Sequence, residues 1–357
     1  MDIITKRADW NNVLQQFQNT GDIYYNYDYL SIYVENFDAE SEAIIWEDQH
    51  VSIFWSHLIR VIPNILGNSP ASFDLISPYG YGGPLINYKT DDSLKIRNSL
   101  RSFMEEYHRF AKSNNYICEF IRFHPVLRNW KLFSDDFKNV IALDHYNDTV
   151  YIDLSADLDH IWQEMRKGHR YNIKKSVREG CDVKILSNPS DSDINEFISL
   201  YYSTMERVQS SKKYFFSPSF IKDHFSKLHA TLIRIDYDGK LIGASMFISG
   251  KSCVHYHLSG SNNTIKGVYP SELIIWNVIK WAKERNLKYF HLGGGLKMND
   301  SLFSFKSGFS NKKAPFYTGK IIFDHEKYDL LIKSCNNANL NQNFFPAYRS
   351  DQNDTII

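Results

Sequence analysis

The fold is decided by the central stretch of the chain, residues 231–260, which reads TLIRIDYDGKLIGASMFISGKSCVHYHLSG. Two runs rich in β-branched and apolar residues, 231–237 and 240–249, flank the dipeptide Asp238-Gly239. A dipeptide of this type between two such runs is the strongest short-range signal for a β-hairpin. Residues 252–260 then add a further run of the same kind. The sequence therefore predicts a three-stranded antiparallel meander.

The elements on either side of this meander follow a regular order. Before it, we predict a strand and two helices, over residues 181–186, 191–208 and 218–228. After it, we predict a helix, a strand, a short helix and a strand, over residues 271–285, 289–292, 300–306 and 316–323. This mixture predicts an α+β fold with mixed β-sheets flanked by helices, and its order resembles that of the GNAT acyltransferase fold.

The length of 357 residues predicts two domains, each large enough for its own core. We place the first at residues 1–153, with residues 325–357 as a candidate completion of it, and the second at residues 154–324. A single long helix is predicted over residues 157–179, ending before Gly180. The Asn-rich tail, residues 336–357, is expected to lie on the surface or to fray.

Charge and cysteine content exclude several classes of protein. The 41 basic and 41 acidic residues cancel, which argues against a polycation that binds by bulk charge, and DNA is not an expected partner. The four cysteines lie far apart in sequence, so neither a disulfide scaffold nor a zinc ribbon is expected. The first residues lack an apolar signal-peptide core, and no run of residues is long and apolar enough for a membrane span. We therefore expect a cytoplasmic protein.

Five short segments occur in the same order as in one known family. They are Tyr79-Gly80-Tyr81-Gly82-Gly83-Pro84; MRKGHRYNIKKS at residues 165–176; YYSTMER at residues 201–207; Tyr256-His257-Leu258-Ser259-Gly260 with PSELIIW at residues 270–276; and His291-Leu292-Gly293-Gly294-Gly295 with Phe305-Lys306-Ser307-Gly308-Phe309. Across about two-thirds of the chain, these segments resemble the Fem-type peptidyltransferases. That family is the FemABX-like branch of the GNAT superfamily, and it is built from two tandem GNAT-like domains.

The resemblance implies an enzyme that transfers an aminoacyl or acyl group by direct attack of an amine or hydroxyl. The implied acceptor is a phosphorylated saccharide or peptidoglycan precursor of the cell envelope. The implied donor is a co-substrate, aminoacyl-tRNA or acyl-coenzyme A, with no resident cofactor or metal. tRNA is thus a candidate partner, and peripheral contact with a membrane stays open.

Two alternative functions remain at this point. The first is an acyl-coenzyme A-dependent N-acyltransferase that acts on an amino sugar or small amine. The second is a catalytically idle GNAT-like module that binds a phosphorylated saccharide or RNA.

The catalytic candidates are Phe305 and Lys306, which resemble the dipeptide that Fem-type enzymes place beside the acyl ester. An ammonium at that place would stabilise the oxyanion of the tetrahedral intermediate, or would hold the donor's terminal phosphate. The alternative role for Lys306 is to cap carbonyls at a helix end. Arg207 matches the family's position for binding acceptor phosphates, a task that suits a guanidinium, with a surface ion pair as the alternative.

A basic stripe is expected on the predicted helix over residues 157–179. It consists of Arg166, Arg170, Lys174 and Arg178, at i, i+4 spacing. Like charges at this spacing cost a few tenths of a kcal/mol per pair, so phosphate groups bound against the stripe would explain it. We assign Arg170 and Lys174 to substrate binding; a solvated face paired with acids is the alternative. Residues 162, 165, 169, 173 and 177 are expected to face the domain.

Other assignments follow from the remaining segments. Tyr81, Gly82 and Gly83 are expected to line the acceptor cleft, with loop packing as the alternative. Tyr256 and His257 are assigned to substrate binding, although a hydrogen-bonded histidine within the sheet is the more ordinary role for His257. Residues 265–270 contain a single glycine where GNAT enzymes cradle the coenzyme A diphosphate, which puts coenzyme A in doubt.

Overall fold

The computed structural model describes residues 1–17, 21–63, 71–133, 137–297, 300–335, 341 and 344–350. The strands within these residues are β1 Asp2–Ile4, β2 Glu40–Glu47, β3 Val51–Ile62, β4 Ser72–Ile76, β5 Leu85–Tyr88, β6 Tyr116–Arg122, β7 Ala142–Asp153, β8 Asp182–Leu186, β9 Thr231–Tyr237, β10 Lys240–Ser249, β11 Cys253–Ser261, β12 Tyr289–Gly293 and β13 Lys313–Ile322. The helices are α1 Arg7–Gln16, α2 Tyr27–Asn36, α3 Ser93–Ser113, α4 Leu158–Glu164, α5 Lys167–Arg178, α6 Asp191–Arg207, α7 Pro218–Leu228, α8 Pro270–Glu284, α9 Ser301–Lys306 and α10 His325–Ser334.

The chain divides into two compact units. Unit 1 comprises residues 1–146 and 316–357, and unit 2 comprises residues 147–315. Both boundaries fall inside strands, β7 and β13, whereas the sequence predicts them after residues 153 and 324, beyond the ends of those strands. Each strand is continuous in sequence although it passes from one unit to the other, and local patterns do not reveal such a transition.

Unit 1 is built on a mixed sheet with the strand order β1-β2-β3-β4-β6-β13, and β5 pairs with β3. β4 and β6 run parallel, and the other pairs in this unit are antiparallel. The apolar face of α3 packs onto the sheet through Phe103 and Tyr107, which contact the buried Trp55 of β3. The core of this unit is therefore strongly aromatic.

Part of the C-terminal tail lies in the interior of unit 1, so the expectation that residues 336–357 lie on the surface is wrong for residues 346–349, whereas Asn341 is exposed. Ala347, Tyr348 and Arg349 are buried. The Arg349 guanidinium and the Tyr348 hydroxyl both donate to Asp74 Oδ2, at 2.5 and 3.0 Å. Arg60 donates to the other oxygen at 2.7 Å. A fully buried carboxylate requires such partners, and the tail supplies two of them.

Unit 2 contains the sheet β7-β12-β11-β10-β9-β8, in which only β11 and β12 are parallel among the pairs described. The predicted meander is present as β9, β10 and β11, and Asp238 and Gly239 both have positive φ in the first hairpin. The largely buried helix α8 packs against this sheet and supplies Leu273, Ile274 and Val278 to the core. The predicted α+β class, with mixed sheets flanked by helices, is confirmed.

The predicted helix over residues 157–179 is two helices, α4 and α5. Met165 and Arg166 have extended ψ angles of 143° and 137°. Arg166 therefore lies at the N-cap of α5, and the basic stripe on a helix shortens to Arg170, Lys174 and Arg178. Val177 is 60% exposed, so it does not face the domain as expected, whereas Met165, His169 and Ile173 are buried.

Candidate functional site

The candidate site of unit 2 forms where two neighbouring parallel strands separate. β11 and β12 pair over only three residues each, from Cys253 with Tyr289 to His255 with His291. β11 then continues to Ser261, whereas β12 ends at Gly293. The strands therefore part beyond His255, which creates a gap in the ladder that a side chain or a ligand can enter.

Lys306, the last residue of α9, places its ammonium at this gap. Its side chain is buried, and Nζ donates to Gly294 O at 2.8 Å. The same Nζ lies 5.9 Å from the centre of the Tyr256 ring on β11. Gly293 has φ of +75°, and a Cβ there would lie 3.3 Å from Lys306 Nζ. A glycine therefore allows the backbone after β12 to turn towards the ammonium.

The environment of Lys306 changes its protonation equilibrium. Burial lowers the pKa of Lys306 from 10.5 to about 8, and the negative charge of Asp300 partly opposes this effect. The group is therefore still an ammonium at neutral pH. Its bond to Gly294 O uses one of its three N–H donors, so it can also donate to a substrate oxygen. A buried cation of this kind can stabilise a developing oxyanion.

Phe305 supports the site through its ring and its carbonyl group. Its ring packs against the core of unit 2 and lies edge-on to His169 and Phe309, at 5.2 and 5.3 Å between ring centres. His169 Nε2 lies 3.0 Å from Phe305 O, and its ring stacks on Phe309 at 4.3 Å. The first turn of α5 therefore contacts Phe305-Lys306, the dipeptide predicted to be catalytic, and supports its position.

Tyr256 and His257 have different surroundings. The Tyr256 hydroxyl donates to Ser259 Oγ at 2.8 Å, and burial raises the pKa of this phenol, so it stays neutral. The His257 ring lies 4.8 Å from that of His224 on α7. The structure therefore brings Tyr256 to Lys306, whereas His257 packs against α7.

The predicted phosphate-binding residues lie on helix surfaces of unit 2. Arg170 donates to Gln163 Oε1 at 2.6 Å, and Lys174 Nζ lies 5.7 Å from the centre of the Trp162 ring. Neither has a carboxylate partner among the described residues, whereas Arg178 of the same stripe pairs with Glu179 at 3.6 Å, so the alternative of a face paired with acids applies only to the end of α5. Arg207, exposed at the end of α6, donates to Ser261 O at 2.7 Å, beside the end of β11 that borders the gap.

The Tyr79–Pro84 segment belongs to unit 1. Gly82 and Gly83 are buried, and Gly82 O accepts hydrogen bonds from the Tyr25 hydroxyl at 2.9 Å and from Asn129 Nδ2 at 2.8 Å. Tyr81 is partly exposed and contacts the rings of three neighbours, Tyr24, His124 and Phe316. The glycines thus form a tightly bonded loop, and the Tyr81 ring is the part that a ligand could reach.

The N-terminus of α8 is poorly suited to a diphosphate. Pro270 provides no N–H, and the Tyr269 N–H donates to Ser176 Oγ at 2.8 Å. The Glu272 carboxylate lies in the first turn, where it accepts from Asn172 Nδ2 at 2.8 Å. A helix N-terminus binds phosphate through available N–H groups and positive potential, and these residues reduce both. The start of α8 is therefore a poor anion site in itself.

Two residues at the site were not predicted from the sequence to be functional. His169 was assigned only to the buried face of a helix, and its contact with Phe305 O depends on the tertiary fold. Asp300 was predicted only as a helix start, although an Asp before a helix is a standard N-cap signal. In the structure it caps α9 and also binds the loop after β12.

Comparisons with known proteins identify the fold of the chain. Residues 163–306 match the family described as Acetyltransferase (GNAT) domain. The crystal structure of FemX aligns with a TM-score of 0.66 at 13% identity, covering 92% of this chain and 99% of its own. No curated protein matches in sequence.

Two further solved structures have similar folds. A conserved protein of unknown function from Bacteroides thetaiotaomicron gives a TM-score of 0.58 at 12% identity, covering 90% of this chain and 99% of its own. The C-terminal domain assigned to a lysylphosphatidylglycerol synthetase from Agrobacterium fabrum gives 0.52 at 14%, covering 92% and 96%. Among the described helices, none has the length and apolar character needed to cross a membrane. The expected FemABX-like GNAT fold is confirmed. The match of residues 163–306 to the Acetyltransferase (GNAT) domain supports an acyltransferase.

Proposed function

We propose that this chain, which has the FemABX-like GNAT fold, transfers an aminoacyl or acyl group onto an amine or hydroxyl of a cell-envelope precursor. The observation that carries the proposal is the buried ammonium of Lys306 at the gap between β11 and β12. In this position it can meet the carbonyl of an acyl donor inserted between the strands. A lysine that only capped carbonyls at a helix end would not need to lie at this gap.

The proposed reaction makes use of this placement. The acceptor nitrogen or oxygen attacks the donor carbonyl carbon, and the carbonyl oxygen gains negative charge while it accepts a hydrogen bond from Lys306 Nζ. The intermediate then collapses, so that the bond to the leaving oxygen or sulfur breaks and the acceptor remains acylated. The proton lost by the acceptor balances the one gained by the leaving group. An amine that enters unprotonated needs no strong base for this step.

The phosphate-binding surface and the α8 N-terminus favour particular substrates. Arg170 and Lys174 on α5, with Arg207 on α6, offer cationic donors for the phosphates of a precursor or of a tRNA. Pro270 and Glu272 make the usual diphosphate site of α8 unfavourable for coenzyme A. We therefore favour an aminoacyl-tRNA donor, and an acyl-coenzyme A-dependent N-acyltransferase is the second candidate because of the GNAT domain match.

The test is a transfer assay with charged tRNA and with acyl-coenzyme A, on a panel of phosphorylated saccharide and peptidoglycan precursors. Loss of one oxyanion donor costs about 100- to 1000-fold in rate, so we expect Lys306→Ala to lose activity by this factor. The matched control is Lys283→Ala, because Lys283 is also partly buried and donates to the backbone carbonyls of Leu154 and Ala156.

Each result of this assay has a defined meaning. Activity with coenzyme A donors alone would select the second candidate. Full activity of Lys306→Ala, or equal losses in both variants, would contradict a catalytic Lys306. Binding of precursors without transfer from either donor would indicate the idle module.

A further inference from the structure

One carboxylate ties the loop after β12 to the helix that carries Lys306. Asp300 Oδ2 accepts the N–H groups of Leu296 and Lys297, at 2.7 and 3.0 Å. Its Oδ1 accepts the N–H of Phe303 at 2.8 Å, which caps the start of α9. A single side chain therefore fixes the loop and the helix relative to each other.

The same loop is held closely on its other sides. A Cβ on Gly295 would lie only 2.1 Å from Asp300 Oδ1, so the loop backbone lies directly against the carboxylate. Asn147 Nδ2 donates to Gly295 O at 3.2 Å. Lys306 Nζ binds Gly294 O from the far end of α9. The loop is thus held between an anion at the start of the helix and a cation at its end.

From this arrangement we infer that Asp300 is a positioning residue for the transfer reaction. It holds the loop that places Gly294 O against Lys306 Nζ, and its negative charge favours the ammonium form of this lysine, which stabilisation of an oxyanion requires. Asp300 itself contacts no reacting atom. The inference rests on the proposed function, because Asp300 acts on the reaction only through Lys306.

The other groups around Lys306 do not replace this charge. From β11, Tyr256 presents an uncharged phenol, whose pKa is raised mainly by burial and also by Glu272 of α8. From α5, His169 lies behind Phe305 and bonds to its carbonyl. Burial lowers the pKa of Lys306, and Asp300 is the charge that raises it. Removal of that charge should therefore favour the neutral amine.

The test is the variant Asp300→Asn. The asparagine has nearly the same shape, but it lacks the charge and has a single acceptor oxygen, so it cannot keep both the loop bonds and the helix cap. We expect Lys306 to titrate about one pH unit lower than in the unchanged protein. NMR of protein labelled with 13C at the lysine ε-carbon measures this, with Lys306→Arg to assign the signal. The decline of the transfer rate at alkaline pH should shift to lower pH by the same amount.

A control and a second variant keep the test decisive. Asp157→Asn alters another N-cap of unit 2, which accepts from His160 N at 2.6 Å, and should leave the Lys306 titration unchanged. Gly295→Ala keeps the charge but forces the carboxylate to move, and should shift the titration in the same direction.

The inference and the proposed function can fail separately. An unchanged Lys306 titration in folded Asp300→Asn, or in Gly295→Ala if the first variant does not fold, overturns the role of Asp300. The titration does not depend on activity. Loss of transfer in Lys306→Ala would still support the proposed function, whereas full activity there would contradict it whatever the titration shows.

Discussion

His224 lies fully buried on α7, where its Nδ1 is 2.8 Å from Phe220 O. Burial lowers the pKa of His224 from 6.5 to about 4, so the folded protein holds a neutral imidazole. Between these pH values the unfolded chain binds a proton that the folded chain does not, and the free energy of unfolding therefore falls as the pH falls. The loss from this group reaches about 3 kcal/mol at the lower end. We expect His224→Phe to remove this pH-dependent loss of the free energy of unfolding, and urea unfolding across this pH range measures it.

The control for this prediction is His160→Phe, because the His160 side chain is 61% exposed. This change should leave the pH dependence as it is. Burial also lowers the pKa of His257, so part of the acid sensitivity should remain in His224→Phe. An unfolding free energy that depends on pH equally in both variants would contradict the argument.

For single residues, the sequence indicates candidate motifs but does not predict the contacts that their side chains make. Phe305-Lys306 could be recognised from its motif, but the contact of Lys306 with Gly294 O requires the turn after β12 and the buried end of α9. The assignment of His257 to substrate binding rests on the segment Tyr256-His257-Leu258-Ser259-Gly260, which resembles the family. In the structure Tyr256 lies near Lys306 and His257 contacts His224, and the sequence does not show which of the two neighbours faces the site.

At the scale of single elements, α5 shows where local patterns fail. Residues 165 and 166 contain neither proline nor glycine, so the sequence predicted one helix through them. In the structure, the Arg166 N–H donates to Gly308 O at 2.8 Å, a bond to a residue far along the chain. The C-terminus of α5 was predictable, because Gly180 follows it with φ of +87°.

The exposed face of α5 leads to a prediction about acceptor binding. Lys174 is exposed and has no carboxylate partner among the described residues, so Lys174→Ala should remove one contact with a phosphate. We expect acceptor affinity to fall about tenfold, and the difference to shrink as salt is added. Calorimetric titration with the precursor found active in the transfer assay measures this.

Lys240→Ala is the matched control, because it removes an exposed lysine at the start of β10, in the hairpin with β9. Its affinity should equal that of the unchanged protein. Equal losses in both variants would mean that acceptor binding depends on overall charge rather than on α5.

At the scale of the whole molecule, unit 1 is assembled from both ends of the sequence. β13 pairs with β6 from Thr318 with Arg122 to Ile322 with Cys118, and Ile321 and Phe323 join the aromatic core. The sequence indicates the C-terminal segment, residues 325–357, only as a candidate completion of the first domain. It could not place Tyr348 and Arg349 inside, because an Asn-rich tail has the composition of a surface segment, and their buried partner Asp74 is remote in sequence.

This arrangement predicts that the last residues stabilise the first unit. A chain that ends at Cys335 loses Arg349 and Tyr348, and Asp74 keeps only Arg60 among the partners described. Removing one partner of a buried ion pair costs about 3 kcal/mol or more, since a charge remains buried without compensation. Urea unfolding of this chain should show that loss, and a chain ending at Ser350, which retains the contacts described, should not.

If both shortened chains unfold like the full chain, the tail contributes nothing to the stability of unit 1. If Arg349→Met alone reproduces the loss, the buried ion pair rather than the tail's packing is responsible.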